Sequence, residues 1–308
     1  MSVDRLPLSS FWTPKYWPAW FGMGLLRLVC LLPHRAALLT GRTFGRIAHR
    51  VGGSRRAIVR RNIELCFPEL TTQEHEDLTF EHFKALGMMI IEMGLGRWAG
   101  DKHLASITTI NGLEHVQAAV EKGQGIILLA AHYTTLEVSG RVLALNIPPF
   151  DSVYRMNRSE FITELQRTGR ERSCENTFEK RDIKKMVRSL RAGRPVWYAP
   201  DQSYSRKGAE IVEFFGVPSM HTTATSTLAR LGNAVVIPFF PRRLKDGHYE
   251  MTLLPAFDNF PSDDPVADTR RYNAVLEEHI RTCPEQYFWI HRKFKGLPDA
   301  YPDLYADL

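Results

Sequence analysis

The chain has 308 residues, of which 44% are hydrophobic and 24% are charged, so it can bury an ordinary core and falls in the globular class. Its formal net charge of +6 favours an anionic partner, which a nucleic acid, a membrane surface or an acidic carrier protein would each provide. The four cysteines lie far apart and form no CxxC pair, which excludes the usual zinc and disulfide patterns and predicts reduced thiols.

The distribution of charge near the N-terminus favours a membrane surface among these partners. An apolar segment at residues 16–33 carries Arg27 as its only charge and has Trp17 and Trp20 near its start. Because a spanning helix needs about 20 mostly apolar residues, this segment is marginal as a span and better suited to an interfacial helix. No cleavage site for a signal peptide follows it. We therefore predict a membrane anchor at residues 1–34, with an ordinary amphipathic core helix as the alternative.

Residues 35–105 are predicted to form a basic, membrane-facing helical region. No Asp or Glu occurs between residues 5 and 63, whereas arginines crowd after the apolar segment: Arg35, Arg42, Arg46, Arg50, Arg55, Arg56, Arg60 and Arg61. Such a flank stays on the cytoplasmic side of a bilayer. Apolar residues recur at helical spacing both before and after Pro68, and Thr71 or Thr72 is expected to cap the second helical stretch.

Residues 106–308 are predicted to form an α/β domain with a mostly parallel sheet flanked by helices. Short apolar runs such as GIILLAAH and PVWYAP alternate here with amphipathic stretches, which is typical of strands and crossover helices. Asp246-Gly247 predicts a hairpin turn that returns a strand antiparallel to VVIPFF, and a last helix is expected at residues 268–282. No internal repeat or flexible linker interrupts this region.

The strongest local signal for chemistry is the segment AAHYTTLE. His132 ends a continuous apolar strand, and Glu137 follows after four intervening residues. One regular helix would place the two side chains about 140° apart, but a strand-to-helix turn capped by Thr134 or Thr135 could let Glu137 point back at the imidazole. A histidine oriented by a carboxylate is the general base that an alcohol nucleophile needs. A structural histidine beside a helix-capping glutamate is an equally good interpretation of this segment alone.

Several blocks in one order give the chain a wider resemblance. It resembles the lysophospholipid acyltransferase superfamily with its HX4D/E motif, and more closely the lipid A late acyltransferases, through RNIELCFPEL, GMMIIEMG, HYTTLE, VYRMN, WYAPDQSY, TSTLARLGNAVVIPF and PEQYFWIHRKFK. The common family motif GHxGNWE is replaced here by AHYTTLE, which keeps the catalytic pair but changes the turn between its members. The resemblance implies the glycerol-phosphate acyltransferase type of α/β fold.

The resemblance also implies an activity. The enzyme would move a fatty acyl chain, lauroyl in the first instance, from acyl carrier protein to the 3-hydroxyl of an acyl chain on a Kdo-bearing tetraacylated lipid A precursor (Kdo2-lipid IVA), at the cytoplasmic face of the bacterial inner membrane. His132 would deprotonate the hydroxyl, Glu137 would hold His132, and Arg155 in VYRMN would donate to the thioester oxyanion or to a substrate phosphate. Transfer of a myristoyl or palmitoleoyl chain, and a non-catalytic lipid-binding protein at the membrane surface, remain alternatives.

The remaining candidates are less specific. Asp201 follows the PVWYAP strand and so lies at the same sheet edge as His132, where we expect it to support Arg155 or to cap a loop. His291, Arg292 and Lys293 form a basic cluster in WIHRKFK that could bind a lipid phosphate or sugar acid, and Arg170 is a weaker candidate for the same task. No P-loop or Rossmann fingerprint is present, so a nucleotide cofactor is not expected. No metal is expected either, and nucleic acid is not an expected partner.

Overall fold

The computed structural model describes residues 6–154, 159–206 and 208–308. The α-helices are α1 (Trp17–Val29), α2 (His34–Val51), α3 (Gly53–Cys66), α4 (Thr72–Trp98), α5 (Asp101–Ser106), α6 (Leu113–Glu121), α7 (Leu136–Leu143), α8 (Glu160–Arg170), α9 (Ile183–Arg191), α10 (Ala224–Gly232) and α11 (Pro265–Thr282). The strands are β1 (Thr108–Asn111), β2 (Gly125–Leu129), β3 (Asp151–Tyr154), β4 (Asn176–Glu179), β5 (Pro195–Tyr198), β6 (Ala209–Phe214), β7 (Val217–Thr222), β8 (Ala234–Arg243) and β9 (Tyr249–Leu253). Short 3₁₀ turns lie at Leu8–Phe11, Pro14–Tyr16 and Pro284–Gln286.

A seven-stranded sheet in the order β1-β9-β8-β2-β5-β3-β4 forms the centre of the α/β region. All of its pairs are parallel except β8 with β9, which run antiparallel around the turn that contains Gly247. Every residue of the central strand β2 is buried, as expected for a parallel strand covered by helices on both faces. The predicted mostly parallel sheet and the predicted hairpin are therefore confirmed.

Two features of this region were not predicted. An antiparallel hairpin of β6 and β7 follows β5 as a separate two-stranded sheet, and β4 adds an edge strand beside β3. Both strands of the hairpin mix polar with apolar residues, for example in AEIVEF, so they lack the continuous apolar run that marks the central strands.

The N-terminal part is helical, as predicted, and Thr71 caps α4 with a complete capping box to Glu74. Helix α2 packs closely on α4 because Gly45 and Gly87 have no side chains where the two helices meet. A Cβ atom on either glycine would collide with the backbone of the other helix. On α1, large apolar side chains point to the outside, with Trp17 60% and Phe21 70% exposed. None of the helices in the described ranges has the length and hydropathy needed to cross a bilayer, so the anchoring role of residues 1–34 stays a prediction.

Candidate active site

His132 and Asp201 meet because two neighbouring strands end in register. Strands β2 and β5 are parallel, with Leu129 level with Tyr198. His132 is the third residue after Leu129, and Asp201 is the third residue after Tyr198. The carboxyl ends of parallel strands are where open α/β sheets place ligands, so this register brings an imidazole and a carboxylate together at the expected edge.

Asp201 is the carboxylate that orients the imidazole. Its Oδ1 lies 2.6 Å from His132 Nδ1, and its Oδ2 accepts a hydrogen bond from the His132 backbone N–H at 3.1 Å. Burial alone would raise the pKa of Asp201, but the charge of His132, its hydrogen bonds and the charge of Lys293 together lower it to about 2. Since the carboxylate is ionised, Nδ1 must donate its proton to Asp201, and the opposite ring nitrogen, Nε2, is the unprotonated one in the neutral ring.

The predicted contact between Glu137 and the imidazole is replaced by an ion pair. Glu137 lies in the first turn of α7, as expected, but its carboxylate accepts hydrogen bonds from Arg170, at 2.8 Å from Nη2 and 3.2 Å from Nε. Arg170 ends α8 and also lies over the Trp197 ring, 5.4 Å from its centroid. A guanidinium offers a carboxylate a permanent positive charge and paired N–H donors, which explains the change of partner. The catalytic role of Glu137 stays a prediction.

The segment after α11 forms the floor beneath His132. The backbone N–H of Phe288 donates to His132 O at 3.0 Å, and the N–H of Thr134 donates to Gln286 O at 2.9 Å, so this segment pairs with the turn that carries the histidine. Tyr287 donates its hydroxyl to Asp201 Oδ2 at 3.0 Å. The sequence interpretation missed Tyr287, because an aromatic residue between apolar neighbours is typical of a core position.

A cleft of about 490 Å³ opens in front of the imidazole. The ring of His132 is 33% exposed to it, whereas Asp201 behind the ring is only 1% exposed. The cleft is lined by Met89, Met93, His132, Tyr133, Thr134, Leu136, Glu137, Val153, Tyr154, Gln166, Arg170, Gln202, Phe288 and His291. A base supported from behind and open in front is the arrangement that proton abstraction from a bound hydroxyl requires.

A second, mostly apolar pocket adjoins this cleft. The two share Met93, Leu136, Glu137, Gln166 and Arg170. The apolar pocket continues between α1, α4, α7 and α8, where its lining includes Met23, Leu26, Trp98, Gly140 and Leu165. A hydrocarbon chain is the kind of ligand that such a lining accepts, since burial of its apolar surface is favourable by about 25 cal/mol of free energy per Å².

The structure separates the remaining candidates. His291 lines the cleft with His132, whereas Arg292 lies over the Tyr305 ring and donates to Leu308 O at 3.2 Å, away from the cleft lining. Lys293 is only 5% exposed and donates to the backbone O of Asp201, so its burial does not support the predicted role in binding a lipid phosphate or sugar acid. Arg155 lies outside the described residues.

The parallel α/β fold and the carboxylate-supported histidine at its ligand-binding edge are the features expected of an enzyme that activates a hydroxyl group. Comparison with known protein families identifies the family within this class. Residues 8–296 match the family model described as bacterial lipid A biosynthesis acyltransferase, and the chain belongs to that family of O-acyltransferases.

Relatives of the chain are named for the transfer of different acyl chains. The chain is 37% identical to the lipid A biosynthesis lauroyltransferase of Escherichia coli (strain K12), over 95% of this chain and 96% of the relative. It is 33% identical to the palmitoleoyltransferase of the same organism, over 96% of each chain, and 27% identical to its myristoyltransferase, over 93% of this chain and 89% of the relative. Family membership therefore fixes the acyltransferase class and leaves the acyl chain open.

Proposed function

We propose that the protein transfers a lauroyl chain from acyl carrier protein to the 3-hydroxyl of an acyl chain on a Kdo-bearing tetraacylated lipid A precursor. The observation that carries this proposal is the imidazole of His132, bonded through Nδ1 to the buried carboxylate of Asp201 and open to the cleft on its other side. The same relay activates hydroxyl nucleophiles in hydrolases, where a serine stands in the place that the lipid hydroxyl takes here.

The proposed transfer has two chemical steps. Nε2 of His132 takes the hydroxyl proton while the oxygen attacks the thioester carbonyl, and the resulting imidazolium is stabilised by Asp201. The C–S bond breaks as the tetrahedral intermediate collapses, and the departing thiolate of the carrier receives the proton from the imidazolium. By the family resemblance, Arg155 would stabilise the oxyanion or hold a substrate phosphate.

Binding of the acyl chains is supported by the apolar pocket beside the cleft. Its lining reaches from Leu136, next to the reacting centre, to Met23 and Leu26 of α1. Thus α1, which carries exposed aromatic and aliphatic residues on its outside, also closes the pocket on its inside. We propose that α1 lies in the surface of an anionic bilayer, at the cytoplasmic face of the inner membrane, from which a lipid acceptor would enter.

One experiment distinguishes this proposal from two alternatives. A myristoyl or palmitoleoyl donor would use the same chemistry, and a non-catalytic lipid-binding protein would use none of it. Purified protein is offered the Kdo-bearing precursor with an equimolar mixture of acyl-carrier thioesters, and the lipid product is weighed by mass spectrometry. Added mass of one lauroyl group supports the proposal. The mass of a different acyl group would change the proposed chain length but keep the reaction, and no added mass would contradict the assignment.

The role of His132 has its own test. His132→Ala is expected to lower kcat by at least about 10³-fold, because proton transfer alone contributes about 10²–10⁴-fold and the ring also carries the relay to Asp201. His115→Ala, on α6 and away from the residues that line the cleft, is the matched control and should stay within twofold of the wild type. Near-native turnover of His132→Ala would contradict the proposed mechanism.

A further inference from the structure

Lys293 is a buried lysine directly behind the proposed active site. It follows the segment that pairs with the His132 turn, and its ammonium lies 4.4 Å above the centroid of the Phe214 ring on β6 and 3.5 Å from His221 Nε2 on β7. Its Nζ donates to the backbone O of Asp201. One ammonium group therefore connects the C-terminal segment, the β6–β7 hairpin and the residue that orients the catalytic base.

The charge of Lys293 is balanced chiefly by Asp201. Burial lowers the pKa of Lys293 to about 8, and the groups that act in the opposite direction are Asp201 first, then Cys66 on α3 and Glu277 on α11. His221 adds no positive charge, since burial, followed by the charge of Lys293, lowers its pKa to about 2. In return, Lys293 is one of the groups that keep the pKa of Asp201 low.

The partners of Lys293 link it to the active site as well as to the packing of the hairpin. Burial of an ammonium carries a desolvation cost, which is offset only where a buried counter-charge and hydrogen-bond acceptors surround it. Methionine would fill the same space above the Phe214 ring. The buried ammonium of Lys293 has a functional explanation if it balances the charge of a neighbouring carboxylate. That carboxylate is Asp201, which is bonded to His132.

We propose that Lys293 is a positioning residue for acyl transfer: its ammonium fixes the loop that carries Asp201 and balances the Asp201 carboxylate, so that the carboxylate stays bonded to His132. This inference rests on the proposed function, because it assigns Lys293 a part in the same relay. Lys293 itself does not touch the substrate.

The pH dependence follows from this placement. Below pH 8 the ammonium is charged in the folded protein, and as the pH rises through about 8 the charge is lost and Asp201 loses its counter-charge. Turnover of the wild type should therefore fall as the pH rises through about 8. The folded-state pKa lies below the ordinary lysine value of 10.5, so the buried charge costs stability below pH 8, and this cost is relieved between about 8 and 10.5. Removing the charge should consequently not lower the melting temperature through this effect.

The test compares Lys293→Met with Lys84→Met in full-length protein. Lys84 is a matched control, since its side chain is 7% exposed and its ammonium lies 5.1 Å from the Phe80 ring centroid, but it pairs with Glu81 on the surface of α4. We expect Lys293→Met, with its folding verified by circular dichroism, to lower kcat at least tenfold with KM for the lipid within twofold, and to lose the fall in turnover near pH 8. Lys84→Met should keep the kcat and the pH profile of the wild type.

A double variant separates action through Asp201 from other effects. In an Asp201→Asn background, Lys293→Met should cost less than twofold in kcat, because the group that it serves is already gone. An undiminished tenfold loss in that background, a rise in KM with unchanged kcat, or an alkaline limb that persists in Lys293→Met would overturn the inference. None of these results would touch the proposed function, which depends instead on His132→Ala and on the acylated product.

Discussion

Replacing Asp201 by asparagine should reverse the tautomer of His132. Oδ2 of Asp201 accepts two hydrogen bonds, from the His132 backbone N–H at 3.1 Å and from the Tyr287 hydroxyl at 3.0 Å. In Asp201→Asn the amide oxygen of the new side chain would keep these two donors, and its NH₂ group would then occupy the Oδ1 position, 2.6 Å from Nδ1 in the wild type. Nδ1 would have to accept a hydrogen bond, which places the remaining proton on Nε2 and leaves no base in the cleft.

The size of the expected loss follows from this geometry. A wrong tautomer in a serine-protease relay costs about 10⁴-fold in kcat, and 10³–10⁴-fold corresponds to about 4–5.5 kcal/mol of transition-state stabilisation. The assay is kcat for acyl transfer from the carrier thioester, with circular dichroism to verify folding. Asp246→Asn, at the exposed turn between β8 and β9, is the control and should stay near the wild type. An Asp201→Asn protein that folds and retains more than a tenth of wild-type kcat would refute the relay.

Three further predictions concern the walls of the site. Glu137→Gln and Arg170→Met should each lower kcat/KM, and the double variant should be no worse than the poorer single variant in a double-mutant cycle, because the two side chains act as one ion pair. Gly140→Leu should shift donor preference to shorter acyl chains in a mixed-donor assay, because Gly140 lines the apolar pocket and a Cβ there meets nothing within 4 Å. One methylene in an apolar pocket changes selectivity by about 10–200-fold, and this sets the expected size of the shift. An unchanged preference would place the acyl chain elsewhere. Removing residues 1–33 should release the protein partly from anionic vesicles, with the remaining binding lost at high salt, and binding that survives molar salt would contradict the role of this segment.

The exposed side of α2 explains why release by that truncation should be partial. Phe44, Ile47 and Val51 recur at helical spacing on this side and are exposed, and Arg46 and Arg50 lie beside them. The opposite side of α2 packs on α4 through glycines. After the first 33 residues are gone, the arginines of α2 would therefore still bind anionic vesicles at low salt, and molar salt should release this residual binding.

The local patterns of the sequence determined the element types and the candidate base. Alternating apolar runs predicted the parallel sheet, and Asp246-Gly247 predicted the hairpin between β8 and β9. Thr71 and Thr72 predicted the start of α4, and each of these signals acts through neighbouring residues. His132 could be selected for the same reason, since its place at the end of a buried strand is visible in AAHYTTLE.

Only the tertiary structure decided which side chains meet. The sequence placed Asp201 at the correct sheet edge but did not give the order of the strands, so it could not show that β2 and β5 are neighbours in a register that sets Asp201 beside His132. Glu137 is nearer to His132 along the chain, yet it pairs with Arg170, which is brought to the cleft by a different helix. Lys293 resembles a surface residue in a basic run until the chain folds its ammonium behind Asp201. Strand order, helix placement and burial depend on packing between segments that are distant along the chain, and these long-range contacts, rather than local spacing, assembled the site.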